Sequence, residues 1–207
     1  RSLGAALFDD AVWALGGQDG REESGAWLES CELLRDASCF PRTSRWQAGP
    51  SLGLRRIARP LAESLADCLF VLGGVLQSLS LVPTAPVQRI RRRADSWDTL
   101  VDCRPFTYRQ LAASAADSSR IFVTGGNDGW ENLLASTEHY SPHEDRWDFA
   151  APMPAPRQGH TSMLCRGGVW VTGGEEPGDG GPQSAFTPLH STLMYDPRMD
   201  EWLSFAD

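Results

Sequence analysis

Residues 121–126 read IFVTGG and residues 169–174 read VWVTGG. The same shape, a short apolar run closed by two glycines, recurs at 12–17 (VWALGG) and 69–74 (LFVLGG). The pairs are Gly16-Gly17, Gly73-Gly74, Gly125-Gly126 and Gly173-Gly174. Each is followed some twenty to thirty residues later by a tryptophan: Trp46, Trp97, Trp147 and Trp202. An arginine precedes each pair. Arg157 lies sixteen residues before Gly173, Arg109 sixteen before Gly125, Arg56 seventeen before Gly73 and Arg1 fifteen before Gly16. A string returning at a near-constant period marks a repeat architecture. The landmarks divide the chain into one region, 1–207, of four repeats: roughly 1–55, 56–108, 109–156 and 157–207.

Inside a repeat the pattern is that of antiparallel strands. Repeat 4 has TSMLC, a turn at Arg166-Gly167-Gly168, then VWVTGG. Repeat 1 has AALF, Asp9-Asp10, then AVWALGG. These are pairs of short β-rich runs joined by tight turns. A third strand follows (TEHYSP, TLMYDP), closed by a proline that cannot donate to a ladder. A fourth carries the tryptophan (RWDFA, EWLSF). Four antiparallel strands with paired glycines and an aromatic make a propeller blade. The expected fold is all-β, with four four-stranded blades. The glycines permit backbone angles and close approaches closed to other residues, and the tryptophans supply apolar area at the seams between blades. Tyr140 and Tyr195, seven residues before their tryptophans, belong to the same seams.

On these residues the chain resembles kelch-repeat β-propeller proteins along nearly its whole length. It is closest in style to the kelch domains of BTB–kelch adaptors. The match is fullest over residues 120–202. Repeats 1 and 2 depart from it, with SCELL where the tyrosine strand belongs and Ile90 in place of tyrosine. Propellers of this kind usually close with more blades than four. The chain is therefore expected to be part of a larger ring and of a longer protein, and open blade edges would invite self-association.

The net charge of −8 argues against nucleic acid as partner. Arg89, Arg91, Arg92 and Arg93 form one basic run, with Arg89, Arg91 and Arg93 expected on one face of an alternating strand; it is read either as a solvated outer strand or as a patch for an acidic partner. Five irregularly spaced cysteines give no disulfide framework and favour a reducing, cytoplasmic location. Cys68 and Cys165, on strand-like runs, are expected to be buried. No apolar run reaches the length of a membrane span.

No enzyme, cofactor or metal site is read from the residues. The four histidines have no metal-ligand spacing. Some kelch propellers are enzymes, including copper radical oxidases, iron-dependent plant specifier proteins and a sialic-acid isomerase. Glu175 and Asp179 share the spacing of the iron ligands, but Gln183 stands where histidine belongs, and it is a poorer ligand than imidazole.

In a four-stranded meander the loop after strand two and the link between blades emerge at the same end. Loops at that end carry Asp19, Glu22, Glu23, Asp128, Glu131, Glu175, Glu176 and Asp179. They also carry Trp27 and Trp130, which have no repeat counterpart and are candidate binding anchors. In BTB–kelch substrate receptors of cullin ubiquitin ligases this face takes the substrate, at and just after the blade-opening arginine. That resemblance extends the role to Arg109, Arg157 and Gln158. The expected function is a non-catalytic module that binds another protein, as a ubiquitin-ligase adaptor or cytoskeletal scaffold. A kelch-type enzyme and an architectural subunit are the alternatives.

Overall fold

Asp9 and Asp10, at φ of 51° and 57°, turn the first strand back on itself, and Arg166 and Gly167 do the same in the fourth repeat at 51° and 82°. Two consecutive left-handed residues give the turn whose twist matches that of a hairpin. A computed structural model describes residues 3–17, 28, 30–35, 45–52, 57–58, 60–76, 87–100, 107–129, 132–178 and 185–205. Among them the chain is all-β.

The chain divides into two compact units, Arg1–Pro105 and Phe106–Asp207. In the first, strands β1 (Gly4–Phe8), β2 (Ala11–Leu15), β3 (Cys31–Arg35) and β4 (Gln47–Ala48) form blade 1. They are followed by β5 (Ile57–Ala58), β6 (Leu61–Leu65), β7 (Cys68–Leu72), β8 (Val75–Leu76), β9 (Val87–Arg91) and β10 (Asp98–Leu100). Blade 2 is β6-β7-β9-β10, and β5 pairs with β8 in a short ladder. In the second unit, β11 (Ala113–Ala116), β12 (Ile121–Thr124), β13 (Thr137–Ser141) and β14 (Arg146–Ala150) form blade 3. Then come β15 (Thr161–Cys165), β16 (Gly168–Thr172), β17 (Glu175–Glu176), β18 (Thr187–Pro188), β19 (Thr192–Asp196) and β20 (Glu201–Phe205). Blade 4 is β15-β16-β19-β20, and β17 pairs with β18. Neighbouring strands are antiparallel throughout, so the four sheets are blades of the kelch type.

Because side chains alternate across a strand, each blade has two apolar faces. Within each unit one face of the first blade, here called trailing, packs on the leading face of the second. In the first unit Trp13, Leu15 and Leu33 meet Leu69, Val71 and Ile90, with Trp97 edge-on to Trp13 at 6.3 Å. In the second, Ala115 and Phe122 meet Val169, Tyr195 and Trp202. Each seam has the same polar fastener. The Trp97 indole N–H donates to the Pro50 carbonyl at 3.1 Å, and that of Trp202 to the Ala151 carbonyl at 2.8 Å. Both carbonyls lie four residues past the preceding blade's tryptophan.

The fourth strands differ between repeats. In β14 and β20 the tryptophan is the second of five residues, whereas β4 and β10 are shorter and begin just after Trp46 and Trp97. The cause lies in the turn before them. The Tyr140 hydroxyl donates to Asp145 and the Tyr195 hydroxyl to Asp200, the latter at 2.7 Å, which pins both turns. Leu34 and Ile90 occupy the tyrosine position in the first two repeats and have no hydroxyl to offer.

Two expectations change. Cys165 is exposed and Cys68 half-buried, while Cys31 is the buried thiol among the described residues. Cys31 donates to the Pro50 carbonyl at 2.6 Å, and burial pushes its pKa up to about 11. Nor do Arg89, Arg91 and Arg93 share one strand face, because β9 ends at Arg91 and Arg93 turns left-handed at φ 64°. Arg92 is paired with Asp9 at 3.0 Å and Asp67 at 3.4 Å.

Candidate functional site

The glycine pairs build the loop end of the second unit. Gly125 and Gly126 have φ of 55° and 91°. A Cβ on Gly125 would lie 2.5 Å from the Arg157 carbonyl oxygen, and one on Gly126 2.5 Å from that of Gln110. The missing side chains let the link between blades cross over the end of β12. There Gln110 bridges to Asn127, and Gln158 to Glu175. The same crossing in the first unit is the β5–β8 ladder.

Arg109 and Arg157, the blade-opening arginines of the second unit, point into this junction. Arg109 is 1% exposed. Its guanidinium donates to the carbonyls of Gly125 (2.9 Å), Ser136 (3.2 Å) and Thr107 (3.3 Å), and forms an ion pair with the buried carboxylate of Glu138. Burial pulls its pKa below the usual guanidinium range, and Glu138 opposes that pull. Arg157, 2% exposed, repeats the arrangement in part: it donates to the Gly173 carbonyl (3.1 Å) and the Ser191 hydroxyl (3.2 Å). Leu193, however, stands where blade 3 has Glu138, and among the described residues no carboxylate lies within ion-pair distance of Arg157. Burial lowers its pKa, and the charge of Glu176 opposes this through space. Both arginines therefore hold loops together from inside.

Gln158 links blades 3 and 4. Its backbone exchanges hydrogen bonds with Glu175 at 3.1 and 2.9 Å, its amide N–H donates to the Glu175 carboxylate at 2.7 Å, and its amide oxygen accepts from Asn127. Glu175 and Glu176, in the β17–β18 ladder, and Asp128 are partly exposed. The Asp128 carboxylate accepts from the Asn132 side chain at 2.7 Å and from its backbone N–H at 3.2 Å. The structure thus gathers Arg109, Arg157, Gln158, Asp128, Glu175 and Glu176 at one end of the second unit. Trp27 and Trp130 lie outside the described residues, as do Arg1, Asp19, Glu22, Glu23, Arg56, Glu131, Asp179 and Gln183. Sequence reasoning passed over Asn127 and Glu138. Their signal was positional: Asn127 directly follows a glycine pair, and Glu138 lies two residues before the repeat tyrosine.

Beneath the loops His160 is buried, its Nε2 2.9 Å from the Thr124 hydroxyl. Burial, with the nearby Arg157 charge second, lowers its pKa from 6.5 to about 4. The unfolded chain therefore takes up a proton near pH 6.5 that the folded chain refuses until about pH 4. In that window the unfolded state binds more protons, so stability falls as pH falls. Between pH 7 and 5 the loss from this group is about 2 kcal/mol. Urea midpoints at the two pH values, for the parent chain and His160→Gln, test this. Equal pH slopes in the two proteins would refute it.

Among the described residues no three His, Cys, Asp or Glu side chains cluster as a metal site, and no helix is long and apolar enough to cross a membrane.

The Kelch motif family model matches residues 108–154, the third blade. Beta-scruin of Limulus polyphemus is 28% identical over 168 residues, 79% of this chain and 18% of that protein. Kelch-like protein 23 of Pongo abelii is 25% identical over 198 residues, 96% of this chain and 31% of that protein. Kelch-like protein 36 of Bos taurus is 25% identical over 183 residues, 86% and 28%. The chain spans less than a third of the length of each of these relatives. Glycine pair and tryptophan recur on four four-stranded antiparallel blades, joined in the third and fourth by a buried arginine and a tyrosine, and the chain is a kelch-repeat protein.

Proposed function

We propose that repeats 1–55, 56–108, 109–156 and 157–207 form one non-catalytic, protein-binding region that holds its partner on the loop end of the blades. Similarity to kelch-like proteins and to a scruin supports a protein-interaction or cytoskeletal role in general. The finer reading is a cytoplasmic ubiquitin-ligase substrate adaptor or a cytoskeletal scaffold.

The observation that carries this reading is the acidic rim of the second unit. Glu175 is fixed by Gln158, Asp128 is fixed by Asn132, and Glu176 sits on the short β17–β18 ladder, where its charge acts on the buried Arg157. Carboxylates held by backbone ladders and amides are preorganised acceptors, and binding loses little entropy in ordering them. The chemistry suits a basic segment of a partner, with charge steering its approach. Because Arg157 is buried, substitution there would disturb the fold as well as the surface. The test therefore uses the partly exposed positions.

The full-length protein and its Asp128→Lys/Glu176→Lys variant serve as baits in one crosslinked native extract, with Arg91→Glu as a control away from the rim. A partner held by the parent and the control, and bound about tenfold more weakly by the rim variant, is the expected result. Co-recovery of a cullin points to an adaptor, and of structural proteins without a cullin to a scaffold. A partner set unchanged by the rim variant overturns the loop-end assignment.

A further inference from the structure

Blade 3 shows the complete form of an arginine junction. The Arg109 guanidinium donates to the Ser136 hydroxyl at 3.2 Å and is paired with the Glu138 carboxylate two residues further on. Blade 4 keeps the arginine and the serine. Arg157 donates to the Ser191 hydroxyl at the same 3.2 Å. Two residues on, however, stands Leu193. The register leaves no doubt about the correspondence: Glu138 pairs with Val123 and Leu193 with Val171, each two residues before its glycine pair. Arg157 is 2% exposed, and its Nε has no hydrogen-bond partner among the described residues. A buried cation calls for an anion beside it, and this junction holds only the serine.

Ser191 is also within reach from outside. It is partly exposed and ends an open stretch in which Ala185, Phe186, Thr187, Pro188 and His190 are exposed. Two backbone hydrogen bonds tie its end of that stretch to the glycine pair, from Leu189 N–H to the Gly174 carbonyl at 2.8 Å and from Gly173 N–H to the Ser191 carbonyl at 3.3 Å. Local opening of these two bonds presents the serine to an enzyme without unfolding the blade.

We propose that Ser191 is a phosphorylation site, and that its phosphate takes at Arg157 the place the Glu138 carboxylate holds at Arg109. The donor is a nucleoside triphosphate bound to a serine kinase. The Ser191 hydroxyl gives its proton to a base of the kinase, and Oγ bonds to the γ-phosphorus. The bond from that phosphorus to the β–γ bridging oxygen breaks, and the nucleoside diphosphate leaves. The product carries nearly two negative charges and three strong acceptor oxygens, one bond away from an oxygen that Arg157 already contacts. The Arg157 Nε–H is a donor for them. Charge-assisted hydrogen bonds then fasten residues 189–191 to the junction. Ser136 is the wrong serine for this switch, since a phosphate there would face the Glu138 carboxylate. The proposal does not depend on what binds the acidic rim.

Peptide mapping of the full-length protein from its native cells, with phosphatases inhibited, should find phosphate on Ser191 and none on Ser136. Recovery of the Ser191 peptide in unmodified form only overturns the site. Phosphoserine installed at position 191 of the full-length protein tests the pairing. Phosphorus NMR should place its second ionisation about one pH unit lower in the folded protein than in the same protein unfolded in urea, because a neighbouring guanidinium favours the dianion. Leu193→Glu supplies Arg157 with a carboxylate in advance, and should remove most of that shift. A second ionisation equal to or above the unfolded value in the parent, or a shift that Leu193→Glu leaves intact, overturns the pairing.

Discussion

Replacing Glu138 by alanine is expected to destabilise the protein by about 3–5 kcal/mol. The carboxylate and the Arg109 guanidinium are both fully withdrawn from water. Removing one partner takes from a buried cation the carboxylate it is paired with, where water cannot reach it. The double variant Arg109→Met/Glu138→Leu should recover most of the loss, because an apolar pair of similar volume carries no desolvation cost. Leu193 already fills the equivalent position in blade 4, where it packs with Met153 and Val171. Urea unfolding with an unchanged m-value measures both effects. A loss below about 1 kcal/mol for Glu138→Ala would mean that the pair behaves as an exposed ion pair does, and that the loops are not held by it.

That comparison shows why the blades were legible in the sequence while the roles of the arginines were not. Strand, turn and glycine pair are local: TSMLC, Arg166-Gly167 and VWVT declare themselves by alternation and turn chemistry. The strands stand as read in TSMLC, β15, and in TLMYD, β19. Which way an arginine points is set by groups far along the chain. Arg109 is turned inward by Glu138 and Ser136, and Arg157 by Ser191. No window around either arginine contains those partners.

The same limit governs burial. Cys165 and Met163 lie on a strand whose pattern reads as half-buried, yet both are exposed, because burial of a blade face depends on the next blade rather than on its own residues. Ala115 and Met163 hold the same repeat position, one buried and one exposed. In a repeat protein the local sequence sets the fold of each unit, and nearest neighbours set which faces are dry. The acidic rim lies between these cases. Its residues could be named from the loops, but their fixing by Gln158 and Asn132 required the bridges at Gln158–Glu175 and within the Asp128 loop.

Trp147→Ala should cost about 3–5 kcal/mol, and Trp46→Ala little, although the two hold the same place in the repeat. Trp147 is 1% exposed and packs its ring 5.3 Å from Tyr140, which is itself buried and tied to Asp145. Its loss opens a cavity among side chains that are fixed on the five-pair ladder of β13 and β14, from Thr137↔Ala150 to Ser141↔Arg146, and cannot collapse to fill it. Trp46 is half in water and adjoins a fourth strand of two residues, so truncation there removes little buried area from the isolated chain. Denaturant midpoints separate the two. Equal losses would show that the repeat position alone sets the contribution of a seam tryptophan. Unequal losses, with the weaker effect at Trp46, would show that a seam is worth what its neighbouring blade makes it.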